Sequence, residues 1–260
     1  MPATARLRAE DLSVAYGRTP VLDRLSAAIP DGALTVIAGP NGCGKSTLLR
    51  TLARLQRAGS GQAVLDGKAI HSQRSRSVAQ RLAILPQSPS APEGLTVGDL
   101  AARGRTPYQS ALRQWSRQDA AAVAQALELT GMTALAGRPL DSLSGGQRQR
   151  AWIAMALAQD TGILLLDEPT TYLDLPHQIE LLKLVQKLNR ETGRTVAMVL
   201  HDINLAARFA SHVIALKDGR VHCQGAPEEV VTEAVMQSVF GLACQIITDP
   251  VHGNPHVIPL

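Results

Sequence analysis

Leu34-Thr35-Val36-Ile37-Ala38-Gly39-Pro40-Asn41-Gly42-Cys43-Gly44-Lys45-Ser46 decides the fold of this chain. Its first five residues are β-branched or apolar and read as a buried strand. Its last eight match G-x-x-x-x-G-K-[ST] without deviation. From Ser46 onward, Leu48, Leu49, Leu52 and Leu55 fall at helical spacing, and Gly59-Ser60-Gly61 is expected to close that helix. A glycine-rich turn between a strand and a helix lets backbone N–H groups converge on anionic oxygens, and the helix N-terminus adds partial positive charge. Lys45 is expected to reach the β- and γ-phosphates of ATP, and Ser46 to place its hydroxyl on Mg²⁺. Cys43 reads in two ways. It is a thiol whose pKa falls at a helix N-terminus, so that bound ATP slows its alkylation, or it is a small space-filler.

Outward from this stretch, short apolar strands alternate with helices. Leu7–Tyr16, Ala63–Asp66 and Leu82–Leu85 read as strands, and Ile163–Asp167 and Val196–His201 follow after a helical interval. Between them lie the helical segments Asp119–Leu129, Gln147–Gln159 and Gln178–Asn189. Val213–Leu216 and Arg220–Cys223 read as a hairpin around Lys217-Asp218-Gly219, and Pro227-Glu228-Glu229 as the opening of a final helix. The alternation predicts a largely parallel sheet covered on both faces, with an all-helical insertion.

Ile163-Leu164-Leu165-Leu166 releases Asp167 and Glu168 at the end of a strand, the edge where ligands sit in open α/β sheets. Asp167 suits Mg²⁺, and Glu168 is placed to orient or deprotonate an attacking water. Gln87 and His201 also end predicted strands. Taken alone they are weak candidates, the first for Mg²⁺ and water, the second for the γ-phosphate.

Leu143-Ser144-Gly145-Gly146-Gln147 supplies a second anion-binding helix start, with Ser144 as the cap. Two copies related by a two-fold axis would trap two ATP molecules, each between one copy's Lys45 loop and the other's Ser144–Gln147.

In these residues the chain resembles the nucleotide-binding subunits of ATP-binding cassette (ABC) transporters over nearly its whole length. The resemblance implies an α/β fold, with a P-loop (RecA-like) core, an antiparallel β subdomain and an inserted α-helical subdomain. It implies a single domain over 1–260, with 1–87 and 159–260 as the catalytic core and 88–158 as the helical part. By the same resemblance Tyr16 stacks on adenine, and Gly39, Pro40, Asn41, Gly42, Cys43, Gly44, Lys45, Ser46 and Thr47 cradle the nucleotide. Ser144, Gly145, Gly146 and Gln147 form the signature segment, with Leu173-Asp174 a further landmark. Lys45, Gln87, Glu168 and His201 are the catalytic set, and Ser46, Gln87 and Asp167 the Mg²⁺ set.

Gly104-Arg105-Thr106-Pro107-Tyr108, Asp167-Glu168-Pro169-Thr170-Thr171-Tyr172-Leu173-Asp174, His177-Gln178 and the ending Asp249-Pro250-Val251-His252-Gly253-Asn254-Pro255 look like the iron–siderophore importer branch, which includes haem and cobalamin systems. Leu175-Pro176 departs from its more usual Ile-Ala. The implied protein is an ATPase homodimer on two transmembrane permease subunits, at the cytoplasmic face of the membrane. A periplasmic or lipoprotein substrate-binding protein acts indirectly, and the helical part docks on the permeases near the loop carrying Pro86, Pro89 and Pro92.

Bulk properties agree with this class. The chain is 45% hydrophobic and 18% charged, as ordinary globular proteins are, and its strongest apolar run is too short to cross a bilayer. Arg6, Arg8, Glu10 and Asp11 interrupt any apolar leader, so a cytoplasmic location is expected. Cys43, Cys223 and Cys244 have no metal-type spacing and fit a reducing compartment. Leu48 to Gln118 carries eleven Lys or Arg against Asp66, Glu93 and Asp99. This is either a solvated face or a contact with an anionic membrane or acidic partner. It also keeps open an ABC-type ATPase acting on nucleic acid. Such proteins carry a coiled coil or zinc module between the motifs, or two cassettes, and neither pattern is present, so no nucleic acid is expected. A non-catalytic regulatory cassette is disfavoured because Lys45, Asp167, Glu168 and His201 are all in place.

Overall fold

The computed structural model describes residues 5–110, 114–171 and 173–260, so Tyr172 of the quoted string lies outside the described residues. Strand β1 (Leu7–Tyr16) pairs antiparallel with β2 (Thr19–Ile29). The next strand, β3 (Leu34–Ala38), is buried at every residue, as a strand covered on both faces must be. Helix α1 (Lys45–Leu52) follows the glycine-rich turn. It stops earlier than its leucine spacing suggests. Arg54 takes a left-handed φ of 67°, and Leu55 turns out to solvent at 60% exposure. Gly59-Ser60-Gly61 does not close the helix, because Ser60 and Gly61 already belong to β4 (Ser60–Leu65).

Strands β1, β2, β4 and the short β5 (Lys68–Ala69) form a four-stranded antiparallel sheet in the order β2-β1-β4-β5. After α2 (Ser75–Ala79) comes β6 (Leu82–Leu85). The chain then leaves the sheets for α3 (Val97–Arg103), α4 (Arg117–Leu129) and α5 (Gly145–Ala158). It returns as β7 (Ile163–Leu166), α6 (Leu175–Thr192), β8 (Thr195–Val199), α7 (Ile203–Phe209), β9 (His212–Lys217) and β10 (Arg220–Gly225). The second sheet runs β10-β9-β3-β8-β7-β6, parallel except for β10.

Two large apolar clusters divide the interior. One packs α1 between the two sheets through Leu48, Leu49 and Leu52. The other joins the far face of the parallel sheet to α3, α4, α5 and α6. Truncating a fully buried leucine such as Leu49 or Leu182 to alanine costs about 2–5 kcal/mol. Pro227 opens only a four-residue helix, α8 (Pro227–Val230). The chain closes instead on a hairpin of β11 (Cys244–Thr248) and β12 (Pro255–Pro259), hydrogen-bonded to α7 through Asn204 and Asn254. Among the described residues, no helix is long and apolar enough to cross a membrane.

Candidate active site

The parallel ladders bring four strand ends to one rim. Ile37 stands opposite Val199, Leu166 opposite Met198, and Leu85 opposite Leu166. The segments leaving that rim are Gly39–Ser46, Asp167-Glu168, Leu200-His201 and Pro86-Gln87. Four predicted site segments, scattered through the sequence, therefore meet by sheet topology alone.

On the first of these, Gly44 has φ of 102° and caps α1 without a side chain; a Cβ there would stand 2.5 Å from Leu22 Cδ2. The buried Lys45 ammonium donates to the carbonyls of Gly39 and Pro40, each at 2.9 Å, and so holds the loop curled over its own lysine. Asn41 and Gly42 line a cavity of about 630 Å³ between β2 and the Asp218-Gly219 turn. Tyr16 projects from the end of β1, 47% exposed, and is not among the residues lining this cavity. The Cys43 side chain belongs to the core between the sheets. Burial pushes its thiol pKa up, against the pull of Lys45 and the backbone, which corrects the expectation of a lowered thiol. The space-filling reading stands.

Asp167 is buried, and neither carboxylate oxygen has a partner at full hydrogen-bond geometry. Arg50 Nε lies 3.4 Å from Oδ2 as a loose ion pair. Burial raises the carboxyl's pKa, with Ser46 and Arg50 pulling it down and Glu168 adding to the rise; the net is upward. A buried, under-satisfied carboxylate beside a serine hydroxyl fits the donor set of a hard divalent cation such as Mg²⁺.

Glu168 is left-handed at φ 51°, an uncommon conformation for a non-glycine residue and one that concentrates at functional sites. Its Oε2 accepts from Gln87 Nε2 at 2.6 Å and Thr171 Oγ1 at 3.1 Å, and lies 2.9 Å from His201 Nε2. Burial pushes this carboxyl up, but His201, Thr171 and Gln87 outweigh it and the net is downward. Asp202 accepts from the amides of Asn204 and Leu205, capping α7 and fixing the backbone directly after His201. The arrangement is a carboxylate held ionised, aimed by three side chains and able to accept a proton at this rim.

Ser144 caps α5, which begins at Gly145, two residues before the predicted start. Gln147 N donates to Ser144 Oγ at 3.3 Å and Ser144 N to Gln147 Oε1 at 3.2 Å, a capping box. Among the described residues, no hydrogen bond or ion pair joins Ser144–Gln147 to the Lys45 loop of the same chain. The sequence reading did not find Arg50 or Thr171. Thr171 sits three residues after Glu168, within reach across a turn, and that spacing was the available signal. Arg50 sits in the last turn of α1, where a basic residue is also a common helix-end device.

A family model described as "ABC transporter" matches residues 22–171. The probable siderophore transport system ATP-binding protein YusV of Bacillus subtilis (strain 168) is 56% identical over 250 residues, covering 96% of this chain and 91% of that protein. The ferric enterobactin transport ATP-binding protein FepC of Escherichia coli (strain K12) is 54% identical over 258 residues, covering 99% and 95%. Among solved structures, the dimeric MJ0796, a bacterial ABC transporter cassette, superposes with a TM-score of 0.74 at 28% identity, covering 85% of this chain and 98% of that one.

Proposed function

This chain belongs to the ABC transporter family as an ATPase, and we propose that it powers the import of ferric siderophore through a membrane permease. The observation that carries the chemistry is the Glu168 carboxylate, held by Gln87, Thr171 and His201 on the same rim as the phosphate loop.

The Lys45 loop and the amide end of α1 bind the phosphates, and Tyr16 offers its exposed ring to adenine. Ser46 and Asp167 are the residues that would hold Mg²⁺, with Gln87 beside them. When bound, Mg²⁺ supplies neutralisation of phosphate charge. Glu168 takes a proton from water as the water oxygen bonds to the γ-phosphorus. The bond from that phosphorus to its bridging oxygen breaks, and ADP leaves. His201 keeps Glu168 ionised and faces the γ-phosphate side. Ser144, Gly145, Gly146 and Gln147 serve the ATP of a second copy, since within one chain they are unconnected to the phosphate loop.

In this reading 88–158 is the helical part that docks on two permease subunits, and 1–87 with 159–260 is the catalytic core. A cavity of about 270 Å³, lined by Pro89 and Pro92 together with Arg148 and Trp152 of α5, supports a docking place at the Pro89–Pro92 loop. The protein sits at the cytoplasmic face of the membrane, and a substrate-binding protein delivers the siderophore from outside. Five of the eleven basic residues of the Leu48–Gln118 stretch are engaged within the chain: Arg50, Arg81 and Arg105 pair with acids, Arg54 with Ser75, and Arg76 with the Pro107 carbonyl. That argues against a free nucleic-acid face.

The test is uptake of radio-iron as ferric siderophore in a deletion strain of the source organism. Wild-type chain restores uptake and Glu168→Gln does not. Undiminished uptake in the deletion strain would overturn the transport assignment.

A further inference from the structure

Arg105 and Asp119 form a buried ion pair that the proposed chemistry does not use. Arg105 Nε donates to Asp119 Oδ1 at 2.8 Å, while Asp119 Oδ2 accepts from the Ser116 amide at 2.9 Å and the Ser116 hydroxyl at 2.6 Å. Arg105 Nη1 donates to the carbonyl of Ala158, the last residue of α5, at 2.8 Å, and the guanidinium lies 3.8 Å over the Tyr108 ring. One guanidinium thus binds the start of α4, the end of α5 and its own loop. Burying two charges is unfavourable unless every lone pair and proton is used, and such pairs are best attested as devices that set position.

The same segment is pinned from the other side. Pro107 O accepts from Arg76 Nε at 2.8 Å and Gln80 Nε2 at 2.9 Å, and Tyr108 Oη donates to Asp160 O at 3.3 Å. Gly104 lies so close to α5 that a Cβ would stand 2.2 Å from Met155 O. Gly104, Thr106 and Pro107 also line a cavity of about 490 Å³. A cation at the C-terminal end of a helix uses a carbonyl that would otherwise lack a partner. From that end α5 runs about 20 Å as a stiff rod to Ser144.

We propose that Arg105 is a positioning residue that locks the segment Gly104–Tyr108 to the end of helix α5 and so sets where Ser144, at the other end of that helix, stands. The proposal rests on the reading of Ser144–Gln147 as half of a second copy's ATP site.

The test uses the full chain in a Glu168→Gln parent, comparing it with the same parent carrying Arg105→Met and Asp119→Leu together. Removing both charges leaves no buried unpaired ion, so the variant keeps its fold. Mg·ATP affinity of the monomer stays within about twofold, while ATP-driven dimerisation weakens and the Arg148–Trp152 amides exchange faster, each about tenfold, the scale of ordinary intersite coupling. Amides of Leu48–Leu52 in α1 do not change. Parental dimerisation in the variant overturns the proposal. So does lost dimerisation with unaltered Arg148–Trp152 exchange, which places the effect outside α5. A parent that binds ATP without dimerising overturns the two-copy site itself, and this proposal with it; that failure shows in the parent alone.

Discussion

His201 Nε2 lies 2.9 Å from Glu168 Oε2, so a histidine at the end of β8 reaches across to the carboxylate after β7. Two adjacent parallel strands set this contact, and Thr171 and Gln87 complete it. Glu168 is thereby ionised and aimed before any substrate arrives.

Glu168→Gln removes the proton acceptor and keeps the side chain's shape. ATP binding persists, turnover falls about 10²–10⁴-fold, and an ATP-held dimer accumulates. Phosphate release and size-exclusion chromatography with Mg·ATP check this; turnover near wild type would remove Glu168 from the role of base.

The His201 contact also sets the pH response. Glu168 titrates below the ordinary 4.5 because its hydrogen bonds, His201 first, outweigh burial. As a lowered carboxyl, it contributes stability above its unfolded pKa, and that contribution disappears as pH falls through the folded value. The acid limb of kcat therefore lies below the usual glutamate range. His201→Ala removes the strongest of the contacts that lower this pKa, so the limb moves up. Superimposable acid limbs for the two proteins would contradict this.

Asp167 is a buried charge with too few partners. Asp167→Asn removes that charge, so the nucleotide-free protein melts no lower than wild type. The stabilisation given by Mg·ATP is lost, since a ligand stabilises only through the form it binds. Thermal melts with and without Mg·ATP, and with a chelator, separate the two effects. A variant that melts well below wild type without ligand would show that Asp167 is structural.

Ser144→Arg places a long cation at the N-terminal end of α5, against its dipole and away from the chain's own phosphate loop. Monomer ATP affinity is unchanged and dimer turnover is abolished. Equilibrium binding and turnover on one preparation check it; weakened monomer binding would refute the shared site.

Alkylation of Cys43 is slow in the folded protein because the thiol is buried and its pKa raised. Iodoacetamide labelling read by mass spectrometry is fast only after unfolding. Rapid labelling of the native chain would reverse the assignment.

The strands that place the chemistry were legible because they are short, apolar and followed by glycines or paired acids, as at Leu34–Gly39 and Ile163–Glu168. Strand β2 was not, because bulges at Asp11 and Arg24, both with positive φ, break the alternation of its hairpin. The end of α1 was missed because its break is a left-handed arginine, which carries no sequence signal of the kind glycine gives. Of the two readings of Cys43 the lowered thiol fails, because position at a helix start argues for a low pKa while burial, invisible in sequence, dominates. Arg50 acts through where its side chain arrives, which only the packing of α1 decides, whereas the Thr171 contact is local and its spacing from Glu168 is readable.

The shared ladder also makes the chemistry intolerant of a frame slip. Adding one residue inside β7 would turn Asp167 and Glu168 each to the face opposite its present one, so Asp167 would lose Arg50 and Glu168 would lose Gln87 and His201. The far rim at the exposed Gly193 has no such constraint, since extra length there is absorbed before β8 begins. Tags, fluorophores or tethers grafted at that end would leave hydrolysis untouched, whereas the same graft between Leu85 and Gln87 would silence it.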